Sequence, residues 1–386
     1  MAVFELYGPG APDALRRAFR LRGGGELPRA GQARLGELRN EHGEVVDEAI
    51  LARVDAGAAW TGLATWTLSV HAGLWVQSEV EAVLSRLGGA RLDLRGALRL
   101  AVERKALDGP RAAAYELLVE ARTEAAARFF LRQHAGELSD NLRAGQECAE
   151  SGDRDGALAR IDALLERSRS ALRLGFPVRV LIAGPPNAGK STLFNRLAGE
   201  ERAAVTSIPG TTRDVLEETI AVHGYPVVLA DSAGIRPIVH VGEVEREGIL
   251  ALRGRNDDGV IYLVPPPWAE SEEDRAFVGR YSPEQVMRVA SQADRGPSMD
   301  APANWRKIST LTGEGLGELL ADVAERWIHA APAAEGDWVP AEPAAFTPAQ
   351  IEILRRAASD CRAAGDGGLD ALRSGFIECL DDSWPR

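Results

Sequence analysis

The spacing of hydrophobic positions changes several times along the chain, and the changes divide it. Residues 1 to about 100 read as mixed α/β. Val45–Val54 predicts a strand after a turn at His42-Gly43, and Trp66–Val70 alternates apolar and polar positions like a half-buried strand. Gln77–Leu87 has helical spacing and stops at Gly88-Gly89. From about 97 to 173 Ala, Leu, Glu and Arg dominate, with few breakers before Gly152. Arg111–Glu150 and Gly156–Leu174 therefore predict long helices, and their Ala/Leu stripe reads as bundle core. Between 176 and 330 strand and helix signals alternate, as in a parallel sheet with crossover helices. Strands are expected at 178–183, 216–222, 226–230, 259–264 and 285–290. The Pro- and Ala-rich stretch from Ala330 to Ala349 marks a linker, and a last helical stretch runs from Pro348 to about Leu380.

The expected organisation is a small N-terminal α/β domain at 1–100, then a helical domain whose first part is 101–175. A phosphate-loop α/β domain at 176–330, a mostly parallel sheet with helices on both faces, is inserted into it. The linker at 331–347 and the second helical part at 348–386 complete the chain.

Chemistry enters at residues 184–191, Gly-Pro-Pro-Asn-Ala-Gly-Lys-Ser, a complete G-x-x-x-x-G-K-S phosphate loop. It follows the buried-strand run Val178–Ala183 and precedes a helical segment from Thr192, the context that gives the motif its meaning. Glycines let the backbone bend so that N–H groups face a β-phosphate. The helix N-terminus adds partial positive charge, Lys190 a full one, and the Ser191 hydroxyl can ligate Mg²⁺.

Further segments follow in the order a GTPase would have them. In Gly210-Thr211-Thr212-Arg213-Asp214 a threonine can reach Mg²⁺ and the γ-phosphate. In Asp231-Ser232-Ala233-Gly234 the carboxylate can hold Mg²⁺ through water and the Gly234 N–H can meet the γ-phosphate. Ser291-Gln292-Ala293-Asp294 stands where such a protein carries Asn-Lys-x-Asp. Asp294 can accept from the guanine N1–H and N2–H, a donor pair that adenine lacks. With Ser291 and Gln292 in place of Asn and Lys, a side-chain bridge to the phosphate loop and an aliphatic cover for the base are expected to be lost. Ile308–Leu316 resembles the last guanine loop, with Ser309-Thr310-Leu311 for Ser-Ala-Lys.

Composition narrows the setting. The 386 residues, 45% hydrophobic, are enough for two or three domains with proper cores. No run approaches the ~18 apolar residues of a membrane span, and no signal peptide is visible, so a cytoplasmic protein without membrane partners is expected. Cys148, Cys361 and Cys379 fit no metal spacing and suit a reducing compartment. The net charge of -12 repels phosphate overall, so with a nucleic acid substrate a partner would supply much of the positive surface.

At this point Asn-Ala-Gly-Lys-Ser-Thr-Leu-Phe-Asn at 187–195, the run from Ala204 to Glu218, and Asp231–Arg236 with Val244–Ile249 resemble the MnmE (TrmE) tRNA-modification GTPases. Arg122–Arg128 and Leu131–Ser139 resemble that family's central helix, and Trp60-Thr61-Gly62 with Val70-His71-Ala72-Gly73 its N-terminal landmarks. The resemblance implies GTP hydrolysis to GDP and phosphate, stimulated by K⁺ in place of an arginine finger and driving conformational change in a tRNA-modifying complex. It implies K⁺ ligands at Asn187, Thr206, Ile208 and Thr211, Mg²⁺ ligands at Ser191 and Thr212, and Glu245 beside the attacking water. Lys190, Thr212 and Glu245 thereby become the implied catalytic residues. GTP contacts fall on Asn187, Ala188, Gly189, Lys190, Ser191 and Thr192, and on Thr206, Ser207, Ile208, Pro209, Gly210, Thr211 and Thr212. They continue at Asp231, Ser232, Ala233 and Gly234, at Ser291, Gln292, Ala293 and Asp294, and at Ser309, Thr310 and Leu311. A homodimer, a flavoprotein partner and tRNA with its wobble uridine are implied as well.

The chain also departs from the family. A tetrahydrofolate derivative is the family's N-terminal ligand, yet Glu5 stands where an Arg is expected and Thr67 where a Glu is expected. No R-x-F-x-N-x-K-L-D-L segment is recognisable between 92 and 110. Cys379 reads either as a displaced counterpart of the family's C-terminal cysteine or as an inert helix thiol. After Pro265-Pro266-Pro267 a short acidic stretch stands where a helix would normally lie. Three readings remain: a tRNA-modification GTPase, a GTP-binding switch or assembly protein of the same descent that no longer modifies tRNA, and another K⁺-stimulated GTPase of the ribosome-assembly kind. The N-terminal and helical resemblances count against the third.

Overall fold

The computed structural model describes residues 1–200, 217–231, 257–295, 301–330, 339–382 and 384. The chain divides into two compact units, Met1–Ala112 and Ala113–Trp384.

The first unit is built on an antiparallel sheet of β1 (Ala2–Tyr7), β2 (Phe19–Leu21), β3 (Ala33–Arg39), β4 (Val45–Val54) and β5 (Thr65–Val70), in the order β1-β5-β4-β3-β2. Helices α1 (Ala11–Ala18), α2 (Leu74–Arg86) and α3 (Leu94–Glu103) complete it. The expected turn before β4 is fixed by Asn40, whose side-chain oxygen accepts from the N–H groups of His42 and Glu44 at 3.0 Å each. Alternation sends Leu38, Ala49, Leu51, Leu68 and Val70 inward, where Leu15 and Phe19 at the α1–β2 junction and Val80 and Val83 of α2 meet them. The sequence reading did not resolve α1, β2 and β3. Their segment is rich in Arg and Gly, and its apolar positions are too sparse to set a period.

The second unit combines a helical bundle with a six-stranded sheet. Where one long helix was expected over 111–150 there are three: α4 (Gly109–Val119), α5 (Glu124–Ala135) and α6 (Glu137–Glu150). The breaks have local causes. Thr123 caps α5 by accepting from Ala126 N at 3.2 Å, and Gly136, at φ +123°, ends α5 and starts α6 in one residue. Helix α7 (Arg154–Gly175) agrees with the sequence. The expected C-terminal helix is also broken, by a tight turn at Gly365–Gly368 between Pro348–Ala364 and Leu369–Asp382. These two helices close the bundle. The Phe376 ring lies on α6 where a Cβ on Gly145 would be 2.4 Å away, and Arg373 donates to the Ala149 carbonyl at 2.9 Å. Cys379 is buried in this bundle, and none of the three cysteines is in a disulfide. Phe129, Phe130 and Phe346 pack edge to face, with centroids 5.4 to 6.0 Å apart.

Between the two halves of the bundle, in sequence, lie β6 (Val178–Ala183), α8 (Lys190–Glu200), β7 (Glu217–Val222), β8 (Tyr225–Asp231), β9 (Gly259–Val264), β10 (Val286–Ala290) and β11 (Arg306–Lys307). The sheet order is β11-β10-β9-β6-β8-β7, parallel except for the β7–β8 hairpin. Strand β9 reads as a continuous apolar run, and β6 as one interrupted only by Arg179, because helices cover both faces of such a sheet. The acidic stretch after the prolines forms a short helix, Glu272–Val278, contrary to expectation. Ser271 and Asp274 make a capping box, and three acidic residues in the first turn suit its positive end. At the sheet's base Trp327 packs so closely on β9 that a Cβ on Gly259 would lie 2.3 Å from its ring. The hairpin docks on the bundle, since Thr123 Oγ1 donates to the Gly224 carbonyl at 2.7 Å and Arg122 to Thr219 Oγ1 at 3.2 Å. Among the described residues no helix is long and apolar enough to cross a membrane.

Candidate nucleotide-binding site

The phosphate loop runs from the end of β6 to the start of α8. Gly184 has φ +145°, and a Cβ there would lie 2.4 Å from the Leu263 carbonyl oxygen of β9, so only glycine lets the chain leave the sheet at this point. Asn187 takes φ +61°, a left-handed conformation that Asn tolerates, and Ala188 is buried beneath the loop. Helix α8 opens at Lys190, leaving its first amides directed at the loop's concavity as in an anion site. The Lys190 ammonium donates to the carbonyls of Gly184 and Pro185 at 2.9 and 2.8 Å. Burial holds Lys190 below its ordinary pKa, and the nearby Asp231 carboxylate partly opposes this.

Asp231 ends β8 and is buried. It accepts from the Ser191 hydroxyl at 2.9 Å. A hydroxyl and a carboxylate side by side next to the phosphate loop are hard oxygen donors and fit Mg²⁺. Thr192 is exposed on the first turn of α8. Thr206, Ser207, Ile208, Pro209, Gly210, Thr211, Thr212, Ser232, Ala233, Gly234 and Glu245 lie outside the described residues.

The base-reading segments meet the phosphate loop from the other side. Ser291–Asp294 leaves the end of β10, and Ser309–Leu311 follows β11. Ser309 Oγ donates to Asp294 Oδ1 at 2.7 Å, which fixes the carboxylate yet leaves lone pairs for a guanine. Ala293 N donates to the Ile308 carbonyl at 3.0 Å, and Arg196 of α8 to the Thr310 carbonyl at 3.1 Å. Leu311 is exposed at the rim and Ser291 is buried. The expected loss of a side-chain bridge is corrected here. Gln292 Nε2 donates to the Asn187 carbonyl at 2.7 Å, because a glutamine amide is long enough to reach the phosphate loop and carries the needed donor. Sequence reasoning missed Arg196 and Trp268. The Trp268 indole N–H donates to the Ser291 carbonyl at 3.0 Å, and the Lys307 ammonium sits 5.6 Å from the ring centroid. A lone Trp after three prolines carries no motif, so nothing in the pattern pointed to it.

In the first unit the two positions that bear on folate are directly paired across β1 and β5, Glu5 opposite Thr67. The Glu5 carboxylate accepts from the Trp60 indole N–H at 3.0 Å and from the Tyr7 hydroxyl. His71, in the second N-terminal landmark, ties β5 to β4 through Asp47, with both its backbone N–H and Nδ1 at 2.8 Å from the carboxylate.

A family profile described as 50S ribosome-binding GTPase matches residues 179–290. A protein named tRNA modification GTPase MnmE from Methylorubrum populi is 35% identical, over 97% of this chain and 94% of its own length. One of the same name from Thermus thermophilus is 32% identical over 92% of this chain and 84% of its own. Among solved structures, the G domain of the T. maritima FeoB iron transporter is similar at 26% identity, covering 39% of this chain and 98% of that one, with a TM-score of 0.28.

Proposed function

Because the chain belongs to the MnmE family of tRNA modification GTPases and is a GTP-hydrolysing enzyme, we propose that K⁺ stimulates its hydrolysis and that the resulting conformational change serves a complex that modifies the wobble uridine of tRNA. The observation that carries the nucleotide part is the phosphate loop with Lys190 curled over it and the Ser191–Asp231 pair beside it. Loop amides and the Lys190 ammonium hold the β- and γ-phosphates, and Asp294, steadied by Ser309, selects guanine. Mg²⁺, held by Ser191 with Thr212 and near Asp231, would neutralise charge as the terminal phosphate leaves, and K⁺ at Asn187 would add to this. Thr206, Ile208 and Thr211 are the further K⁺ ligands in this reading, and Glu245 orients the attacking water.

A homodimer in the cytoplasm belongs to the same proposal, with a flavoprotein as the further partner. Cross-strand pairing aligns Val3 with Ser69, Ser69 with Ile50 and Ile50 with Leu35, so an apolar row crosses one sheet face. Its three large members are 58%, 41% and 39% exposed in a single chain, which supports a second copy as the cover.

A reduced folate does not fit the residues present. Its anionic tail calls for a cation, and position 5 offers a carboxylate already bonded to Trp60 and Tyr7. No step of the proposed chemistry passes through a folate. This disagreement favours the second reading, a GTP-driven switch of the same descent without tRNA modification. Two measurements test the proposal. GTP turnover should rise when Na⁺ is exchanged for K⁺ and Asn187→Ala should remove the rise; equal rates in both salts refute the K⁺ assignment. Mass spectrometry of tRNA from a deletion strain should show loss of wobble-uridine modification, and unchanged tRNA would leave the switch reading.

A further inference from the structure

The base-reading segment of this chain lacks the Asn and Lys expected of it, yet it is tied to the phosphate loop by one side chain. Gln292 Nε2 donates to the main-chain carbonyl of Asn187 at 2.7 Å. The contact joins residues 105 apart in sequence, and both of them hold positive φ, +54° at Gln292 and +61° at Asn187. Backbone of this kind persists only where its surroundings hold it. On the Gln292 side the hold is visible. Ser291 N donates to the Val264 carbonyl and Ala293 N to the Ile308 carbonyl, each at 3.0 Å. Trp268, itself buried, donates its indole N–H to the Ser291 carbonyl. Gln292 therefore projects from a loop braced on both sides by the strand ends, and its amide pins the residue at the crest of the phosphate loop.

We propose that Gln292 is the positioning residue that couples guanine recognition to the phosphate loop, with Trp268 as its brace, so that its amide supplies the bridge that the loss of the Asn and Lys was expected to remove. This rests on the reading of the pocket as a guanine-nucleotide site. The physical requirement is a donor at that position. The Asn187 carbonyl accepts, so a side chain that donates keeps the phosphate loop and Asp294 in one register, and a side chain that only accepts pushes the loop away.

The test uses the full-length protein with Gln292→Ala, Gln292→Glu and Gln292→Lys, and reads the dissociation constant and off-rate of a fluorescent GDP in Mg²⁺ and K⁺ buffer. All three variants keep a Cβ at the same positive φ, so backbone strain is shared and the differences report the donor. Gln292→Ala should bind about five- to tenfold more weakly, the loss expected of one hydrogen bond. Gln292→Glu should be weaker still, through faster release. Gln292→Lys should restore binding to about the wild-type value, because its ammonium donates to the same carbonyl. Thermal unfolding of the ligand-free proteins should be alike, a result that a merely structural role for Gln292 would not give. If Ala and Glu variants bind as tightly as wild type, or Lys fails to restore what Ala loses, the proposal falls while the nucleotide site stands. A wild-type protein that takes up no guanine nucleotide overturns both.

Discussion

Lys190 is the side chain on which charge balance at the site turns. Its ammonium is satisfied by the Gly184 and Pro185 carbonyls and is pushed below its ordinary pKa by burial. Bound phosphates, being charged, would hold its proton more tightly than these neutral carbonyls do. Nucleotide affinity should therefore be full at neutral pH and fall as pH rises through the lowered free-state pKa, starting below the ordinary value of 10.5. Calorimetry at neutral and alkaline pH checks this, and an affinity that rises with pH would contradict it. Lys190→Ala should weaken binding about 10- to 100-fold, the range for a hydrogen bond to a charged group. At this scale the sequence was informative where a motif fixes backbone and side chain together. Gly184, Lys190 and Ser191 lie together in the strand–loop–helix that the phosphate-loop spacing predicts, and Asp231, from its own segment, meets Ser191 from the end of β8. Gln292 was misjudged because its reach depends on where β10 ends relative to Asn187, and that is a property of the packed sheet.

The elements that hold these residues show where period-based reading succeeds and fails. Strands β6, β8 and β9 were legible because they are largely buried on both faces and keep a mostly apolar run, interrupted in β6 by Arg179 and closed in β8 by Asp231. The break at Gly136 was not, since the flanking sequence keeps its helical period and only the glycine's φ reverses the chain. The helix Glu272–Val278 escaped notice because its start is written in polar residues, the Ser271–Asp274 box. Asp274 feels burial, which raises its pKa, but hydrogen bonds from Tyr262 and Ser271 and the charge of Arg275 outweigh it and leave it lowered. Its contribution to stability is thus present above the ordinary carboxylate range and lost as pH falls through the lowered value. Asp274→Asn should flatten that part of the acid unfolding curve, whereas an unchanged curve would mean that the carboxylate adds nothing. On the opposite face of the sheet, Gly259→Ala should cost about 1–3 kcal/mol by forcing Trp327 off β9. Urea unfolding measures it, and an unchanged midpoint would show that Trp327 can yield.

At the scale of the whole molecule, a chain of net charge -12 built around a phosphate-binding pocket must keep its positive charge local. That is what the Lys190 ammonium and the α8 amides do. The insertion of the nucleotide domain between two halves of a bundle was legible from the return of helical spacing after Pro348. The apolar row of Val3, Ile50 and Leu35 was not, because strand pairing aligns three residues far apart in sequence. If the proposed homodimer is closed by this row, light scattering should show a dimer that Ile50→Glu converts to a monomer, and a monomeric wild type or an unshifted mass would contradict that. Everything functional rests on guanine-nucleotide binding. The most direct measurement is isothermal titration of the purified chain with GDP and, separately, ADP in Mg²⁺ and K⁺ buffer: saturable heat with GDP and none with ADP is the expected result, and silence with GDP, or equal binding of both, would contradict the account.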